Sequence, residues 1–329
     1  MSWLLYLSAA PVATIMLLRA LALVLPGRLG EKASFVAFSI TAFLMLIVCA
    51  SYGVVASIFL RAIGYGGLSQ WTVGRAFKWT MWLSTGVTFR VDEVGGRQEG
   101  GRKGGKEALE TRPAVFVGNH QTELDVLMLG CMFPQYCSVT AKSSLKYTPF
   151  LGQFMSLSKT VFIDRANRAT ARAAFDGAAN TMRNDRQSVF IFPEGTRSYA
   201  SEPTLLPFKK GAFHLAVQAQ VPIVPVVCAN YSHVLDMKRK IVRPGVVDVT
   251  VLPAIPTKGC TAADVDGLVE RTQKAMMDEL VRLAHVSGAK EGNGVPMASG
   301  VEEVRKELRQ RNQEDFFGSR IAWAGEGLT

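Results

Sequence analysis

The sequence predicts an α/β fold: a mostly parallel central sheet with flanking helices, preceded by N-terminal membrane helices. Three observations predict it. From residue 87 onward helix-like and strand-like stretches alternate, the pattern of a largely parallel sheet covered by helices. Two apolar strand-like runs, 114–117 and 188–192, each break into a polar turn rich in chemically useful side chains. The segment ahead of them is almost entirely apolar, with 28 consecutive uncharged residues at 33–60.

As a helix that run would extend roughly 40 Å at ~1.5 Å per residue, against a hydrocarbon core of about 30 Å. Residues 1–25 are also apolar, interrupted only by Arg19, which is expected to snorkel to an interface. A signal peptide fits less well, because the stretch lacks a basic start and a small-residue cleavage site. Residues 1–62 therefore read as membrane-anchoring segments. Residues 63–86 interleave Leu68, Trp71, Val73, Phe77, Trp79, Met81 and Trp82 with Arg75 and Lys78. They suit either an interfacial segment with tryptophans at headgroup level or the first helix packed on the globular domain. After the second apolar run, Arg61, Arg75, Lys78 and Arg90 come before the next acidic residue, Asp92, so the positive-inside rule leans toward a cytosolic globular domain. A shallow hairpin entering and leaving one leaflet would place it there too.

Residues 87–287 read as the globular domain. Residues 87–94 alternate like a half-exposed strand. Residues 95–112 carry six glycines among charged residues and read as an inserted surface loop. Its G-x-x-x-x-G-K frame is followed by Glu107, not Ser or Thr, and no strand runs into it, so it is not a phosphate-binding loop. Beyond it, strands are expected at 136–140, 160–163, 188–192, 223–229 and 246–252. Helices are expected at 149–157, 169–183, 211–219 and 262–283, with a further helix starting at Asp125. Residues 288–329 read as a linker, a charged helix and a tail.

The chain carries 37 basic and 27 acidic residues, a net charge of +10. A basic protein meets something acidic, and the apolar N-terminus favours an anionic membrane and phosphorylated substrates over nucleic acid. The five cysteines, Cys49, Cys131, Cys137, Cys228 and Cys260, show no C-x-x-C pair and no zinc spacing. Free thiols in a reducing compartment follow, and no metal is indicated.

The first polar turn holds His120 and Asp125, five residues apart. Such a pair cannot share a helix face at 3.6 residues per turn, so His120 must sit on the turn and Asp125 in the first helical turn. An imidazole with its ordinary pKa of ~6.5 is neutral near pH 7 and serves as a base. Asp125 could orient it and stabilise the imidazolium, as in a serine-protease triad without the serine. Taken alone, the same residues would equally cap a helix. No Gly-x-Ser-x-Gly elbow occurs, which argues for direct transfer without a protein nucleophile. The second turn, Phe192-Pro193-Glu194-Gly195-Thr196-Arg197-Ser198, offers an arginine fork that matches phosphate, though its composition also suits a plain β-turn.

Together the two motifs resemble the glycerolipid acyltransferases, most closely the 1-acylglycerol-3-phosphate (lysophosphatidate) acyltransferases. Phe162-Ile163-Asp164-Arg165 and Val221-Pro222-Ile223-Val224-Pro225-Val226 match the family's other two motifs, in order and spacing. The resemblance spans roughly residues 87–283 and looks eukaryotic, closest to fungal members. It implies an integral membrane enzyme of the endoplasmic reticulum with a cytosolic active site. That enzyme would acylate the sn-2 hydroxyl of lysophosphatidate with acyl-CoA as co-substrate and no bound cofactor. It also implies His120 and Asp125 as the catalytic pair, and Arg165, Glu194, Gly195, Thr196 and Arg197 as the acceptor-phosphate site. Lys142, Lys209 and Lys210 become candidate contacts for CoA or lipid phosphates, and Pro222 lies on a strand beside the acyl path. A sister enzyme using glycerol 3-phosphate or another lysophospholipid, a thioester hydrolase, and a non-catalytic membrane scaffold are the competing readings.

Overall fold

The computed structural model describes residues 2–91, 104–164 and 166–290. Residues up to Leu280 form one compact unit; of the second unit, which begins at Val281, the described part is the end of one helix. Residues 95–103 of the glycine-rich insertion, Arg165, and the linker, charged helix and tail beyond residue 290 lie outside the described residues.

Two helices open the chain, α1 (Ser2–Val24) and α2 (Gly27–Ala62), and pack on each other. By length and composition α2 could cross a membrane, and the described apolar stretch of α1 is Ala10–Val24. Only one stripe of α2 is covered: Gly30, Ala37, Thr41, Cys49, Ala50, Gly53 and Ser57 are buried. Phe43, Val48, Val55, Ile58 and Phe59 on its other side are exposed. The covered stripe is small-residued because large rings are seated against it: a Cβ on Gly53 would fall 2.5 Å from the ring of Phe154. The guanidinium of Arg19 donates to the carbonyl of Ser84, at the end of the next helix, where unpaired carbonyls attract a cation.

That helix, α3 (Ser69–Thr85), packs on α2 and on the globular part. Val73, Phe77 and Met81 are buried against the globular part, while Trp79, Trp82 and Leu83 stay exposed. It crosses helix α5 (Asp125–Met132) at a pair of glycines, where a Cβ on Gly130 would lie 2.8 Å from the carbonyl oxygen of Gly74. The next residue, Arg75, donates to the carbonyls of Gly130, Cys131 and Phe133, capping the carboxyl end of α5.

The remaining elements are β1 (Val87–Val91), α4 (Lys106–Leu109), β2 (Val115–Gly118), β3 (Cys137–Lys142), α6 (Leu151–Leu157), β4 (Val161–Ile163), α7 (Arg168–Asp185), β5 (Ser188–Ile191), α8 (Gly211–Ala219), β6 (Ile223–Cys228), β7 (Leu235–Asp236), β8 (Ile241–Val242), β9 (Gly245–Val251) and α9 (Val265–Lys290). Seven strands form one sheet in the order β1-β9-β6-β2-β5-β3-β4. β2 through β6 run parallel, so their carboxyl ends share one edge. β9 pairs antiparallel with β6 and carries β1 in parallel on its far side. The sheet is thus mixed, and β7 and β8 add a small antiparallel hairpin. β2, β5 and β6 are buried at every position, which is why they read as continuous apolar runs.

Candidate active site

β2 and β5 are neighbours in register, Val115 opposite Val189 and Val117 opposite Ile191. The two polar turns therefore leave adjacent strands at the same edge, where open α/β sheets gather their ligands. The first turn is fixed from the third strand of the group. Asn119 donates through Nδ2 to the carbonyl of Cys228 at 2.9 Å and accepts from its amide at 2.8 Å. Gln121 adds donations to the carbonyls of Cys228 and Ala229.

On this turn His120 Nδ1 lies 2.7 Å from Asp125 Oδ2. Opposite a carboxylate oxygen Nδ1 is the nitrogen that carries hydrogen, which leaves the lone pair on Nε2. Asp125 is the first residue of α5, 1% exposed, and accepts two further bonds. The amide of Gln121 donates to Oδ2 and the hydroxyl of Tyr231 donates to Oδ1, each at 2.7 Å. Tyr231 is itself fully buried and accepts from the amide of Thr122 at 3.0 Å. The imidazole also stacks on Phe192, ring centroids 4.1 Å apart and 17° from coplanar. Its orientation is thus held at one nitrogen and across one face.

The second turn is tied to the first by backbone and by Glu194. Ser198 donates its amide to the carbonyl of His120 at 2.9 Å, and Tyr199 to that of Gln121 at 3.1 Å. Glu194 Oε1 accepts the amide of His120 at 2.7 Å, and Oε2 accepts that of Leu206 at 3.0 Å. Burial drives its pKa from 4.5 up to about 7; the two amide donors pull the other way, and the charge of Asp125 adds to the rise. The carboxyl group faces backbone inside the site. Glu194 thus braces the two turns.

Arg197 projects from the second turn, its Nη1 3.3 Å from Glu123 Oε1. Gly195 takes a left-handed φ of +69°, and a Cβ there would meet the Nζ of Lys209 at 2.8 Å, so this lysine lies directly over the turn. Thr196 is exposed on the same turn. Lys142 ends β3 at the catalytic edge of the sheet and is exposed. Lys210 pairs instead with Asp266 of α9 at 2.7 Å. Arg165 lies outside the described residues, one position beyond Asp164, which follows β4 at that same edge.

Pro222 is not brought to the site. It precedes β6, and its carbonyl accepts the amide of Val115, at the amino end of β2. Three strand steps of ~3.3 Å each separate the two ends of β2, so Pro222 stands at the opposite edge of the sheet from the turn holding His120. Four residues were missed by sequence reasoning: Phe192, Glu123, Tyr199 and Tyr231. The first three fall inside or beside the two motifs, but Tyr231 lies 106 residues from Asp125 and left no local signal.

A buried carboxylate orienting an imidazole with a free nitrogen, beside a cationic turn, can deprotonate a hydroxyl on a phosphorylated molecule. Comparison with known proteins agrees in kind. Residues 102–229 match the protein-family model described as Acyltransferase. The chain is 40% identical over 247 residues to the 1-acyl-sn-glycerol-3-phosphate acyltransferase of Saccharomyces cerevisiae, covering 75% of this chain and 78% of that protein. It is 42% identical over 196 residues to human 1-acyl-sn-glycerol-3-phosphate acyltransferase beta, covering 60% and 69%. The crystal structure of the 1-acyl-sn-glycerophosphate acyltransferase PlsC from Thermotoga maritima superposes with a TM-score of 0.57 at 20% identity, over 76% of this chain and 95% of that one, a likeness of fold. From sequence relatives and fold together, the chain belongs to the 1-acyl-sn-glycerol-3-phosphate acyltransferase family.

Proposed function

We propose that this chain transfers an acyl group from acyl-CoA to the sn-2 hydroxyl of 1-acylglycerol 3-phosphate, giving phosphatidate. The observation that carries the reading is the His120–Asp125 pair at 2.7 Å. His120 Nε2 takes the hydroxyl proton as the oxygen attacks the thioester carbonyl. The tetrahedral intermediate collapses with cleavage of the C–S bond, and the proton passes from the imidazolium to the departing CoA sulfur. Asp125 stabilises the imidazolium while it exists. Direct transfer is supported by the surroundings: among the described residues no serine or cysteine side chain bonds the imidazole. Cys228, the thiol nearest the dyad in the fold, is buried, and burial followed by the charge of Asp125 raises its pKa far above that of a reactive thiol. Arg197, Lys209, Gly195 and Thr196 form the acceptor-phosphate turn, and Lys142 stands at the same sheet edge to meet further phosphate.

The reading carries a membrane geometry. Contacts to the rest of the unit run the length of α2: Arg243 reaches Glu31 at 3.7 Å, Phe154 and Val73 seat against Gly53, and Arg61 donates to the carbonyl of Leu157 at 2.9 Å. Thirty residues of helix, ~45 Å at ~1.5 Å per residue, are thus attached to the catalytic unit. A helix attached in this way cannot stand alone across hydrocarbon, which favours the shallow hairpin over two full spans. Arg61 and Arg75 are bound to backbone carbonyls, so the exposed apolar side of α1 and α2, more than a count of charges, sets the orientation. The site would then face the cytosol at the endoplasmic reticulum, where acyl-CoA is available and the two-tailed product leaves into lipid.

Purified protein given labelled acyl-CoA and a panel of acceptors tests the reading. Phosphatidate from lysophosphatidate is expected. Product from glycerol 3-phosphate alone, or free fatty acid without any acceptor, would replace it with a sister transferase or a hydrolase.

A further inference from the structure

Arg197, Glu123 and Tyr199 form a cluster that the dyad does not use. Arg197 Nη1 is 3.3 Å from Glu123 Oε1, and the hydroxyl of Tyr199 donates to the same oxygen at 2.7 Å. One carboxylate oxygen thus takes two donors, one cationic and one neutral, as a phosphate oxygen would. Arg197 Nε is buried and has no hydrogen-bond partner. The other two such atoms among the described residues, Ser57 Oγ and Thr250 Oγ1, belong to α2 and β9, away from this turn. The fork is therefore only partly satisfied by Glu123 and keeps a donor in reserve.

Backbone conformation adds to the case. Tyr199 adopts a left-handed φ of +48°, a region an aromatic residue avoids unless the surroundings impose it. What imposes it is the amide bond to Gln121, which swings the phenol back across the second turn to Glu123 of the first. Glu123 and Arg197 remain 47% and 37% exposed, so their pairing is screened and readily exchanged.

We propose that the Glu123 carboxylate stands in for the acceptor's phosphate in the free enzyme, and that the incoming phosphate displaces it, taking the Arg197 guanidinium and the Tyr199 hydroxyl as its ligands. The proposal rests on Arg197 being the phosphate site of the proposed acyltransferase reaction. It makes Tyr199 a binding residue and Glu123 an intramolecular competitor, which an acceptor displaces from Arg197 only by bringing enough negative charge. A phosphate dianion does so; an uncharged glycerolipid does not.

The test is acceptor kinetics on the full-length enzyme with Glu123→Gln, Tyr199→Phe and Arg197→Lys, each checked for an unchanged melting temperature. Glu123→Gln removes the competing charge and should lower the KM for lysophosphatidate by roughly three- to tenfold, with the KM for acyl-CoA unmoved. Tyr199→Phe should raise the lysophosphatidate KM by a similar factor. With 1-acylglycerol, which lacks the phosphate, neither substitution should change KM. A residue that merely shaped the turn would not improve binding when altered. An unchanged or raised lysophosphatidate KM in Glu123→Gln, alongside a raised one in Arg197→Lys, overturns the exchange and leaves the phosphate site standing. No effect of Arg197→Lys on the acceptor would remove the phosphate site itself.

Discussion

Glu194 accepts the amide proton of His120 at 2.7 Å, so the carboxylate of one motif holds the backbone of the other motif's catalytic residue. With Leu206 on its second oxygen, Glu194 joins three chain segments at a point that is 3% exposed. The glutamate of the second turn is thus structural in its contacts.

This brace has a pH signature. The folded-state pKa of Glu194 is about 7 against an ordinary 4.5. Between those values the folded chain holds a proton that the unfolded chain has released. The contribution to stability is therefore present at low pH and is lost as pH rises through the window, at up to ~1.4 kcal/mol per pH unit. Glu194→Gln removes that dependence and also turns an amide donor toward one of the two backbone donors, at a cost of about 1–3 kcal/mol. Melting temperatures in detergent from pH 5 to 8 should show wild type losing its advantage over Glu194→Gln as pH rises. Parallel curves would contradict the raised pKa.

His120→Ala should lower turnover by ~10²–10⁴-fold, the usual worth of a general base. The melting temperature should hold, because the backbone bonds of residue 120 to Glu194 and Ser198 survive the substitution. Near wild-type turnover by folded enzyme would end the proposed mechanism.

Tyr231→Phe keeps the buried ring but leaves Asp125 Oδ1 and the amide of Thr122 without their partner. Stability should fall by about 1–3 kcal/mol. Turnover should fall while both Michaelis constants stay put, because the loss lies in how firmly the carboxylate orients His120. Unchanged kinetics would show that the amide of Gln121 and His120 itself suffice to hold Asp125 in place.

Arg197→Lys keeps the charge and loses the planar fork. The KM for lysophosphatidate should rise by about tenfold while that for acyl-CoA changes little, read from initial rates with each substrate varied in turn. Equal changes in both would place Arg197 on shared ground between donor and acceptor.

How much of this was legible in the sequence depends on distance along the chain. Each motif lies within a few residues of a strand end, so the pairing of His120 with Asp125 and the apolar strands that carry them could be read from local pattern. The neighbouring of the two turns followed from the α/β alternation. The reversal of β9 against β6 did not, because alternation of strands and helices carries no mark of one antiparallel pair. Tyr231 reaches Asp125 across 106 residues, and Lys210 finds Asp266 only because α9 returns to α8. Glu194 read as a ligand because a carboxylate in a polar turn gives no hint of whether it faces solvent or backbone.

The ring of Phe154 against Gly53 of α2 bears on how this enzyme can be handled. Cutting the chain after residue 62 would not release a trimmed, water-soluble catalyst. It would strip the cover from Phe154, Val73 and the buried side of α3, and through Gly74 and Arg75 it would loosen the helix that begins at Asp125. The two N-terminal helices thus serve as part of the enzyme's interior. A soluble form has to be sought by recolouring the exposed residues of α1 and α2, such as Phe43, Val55 and Phe59, and not by deleting the helices that bear them.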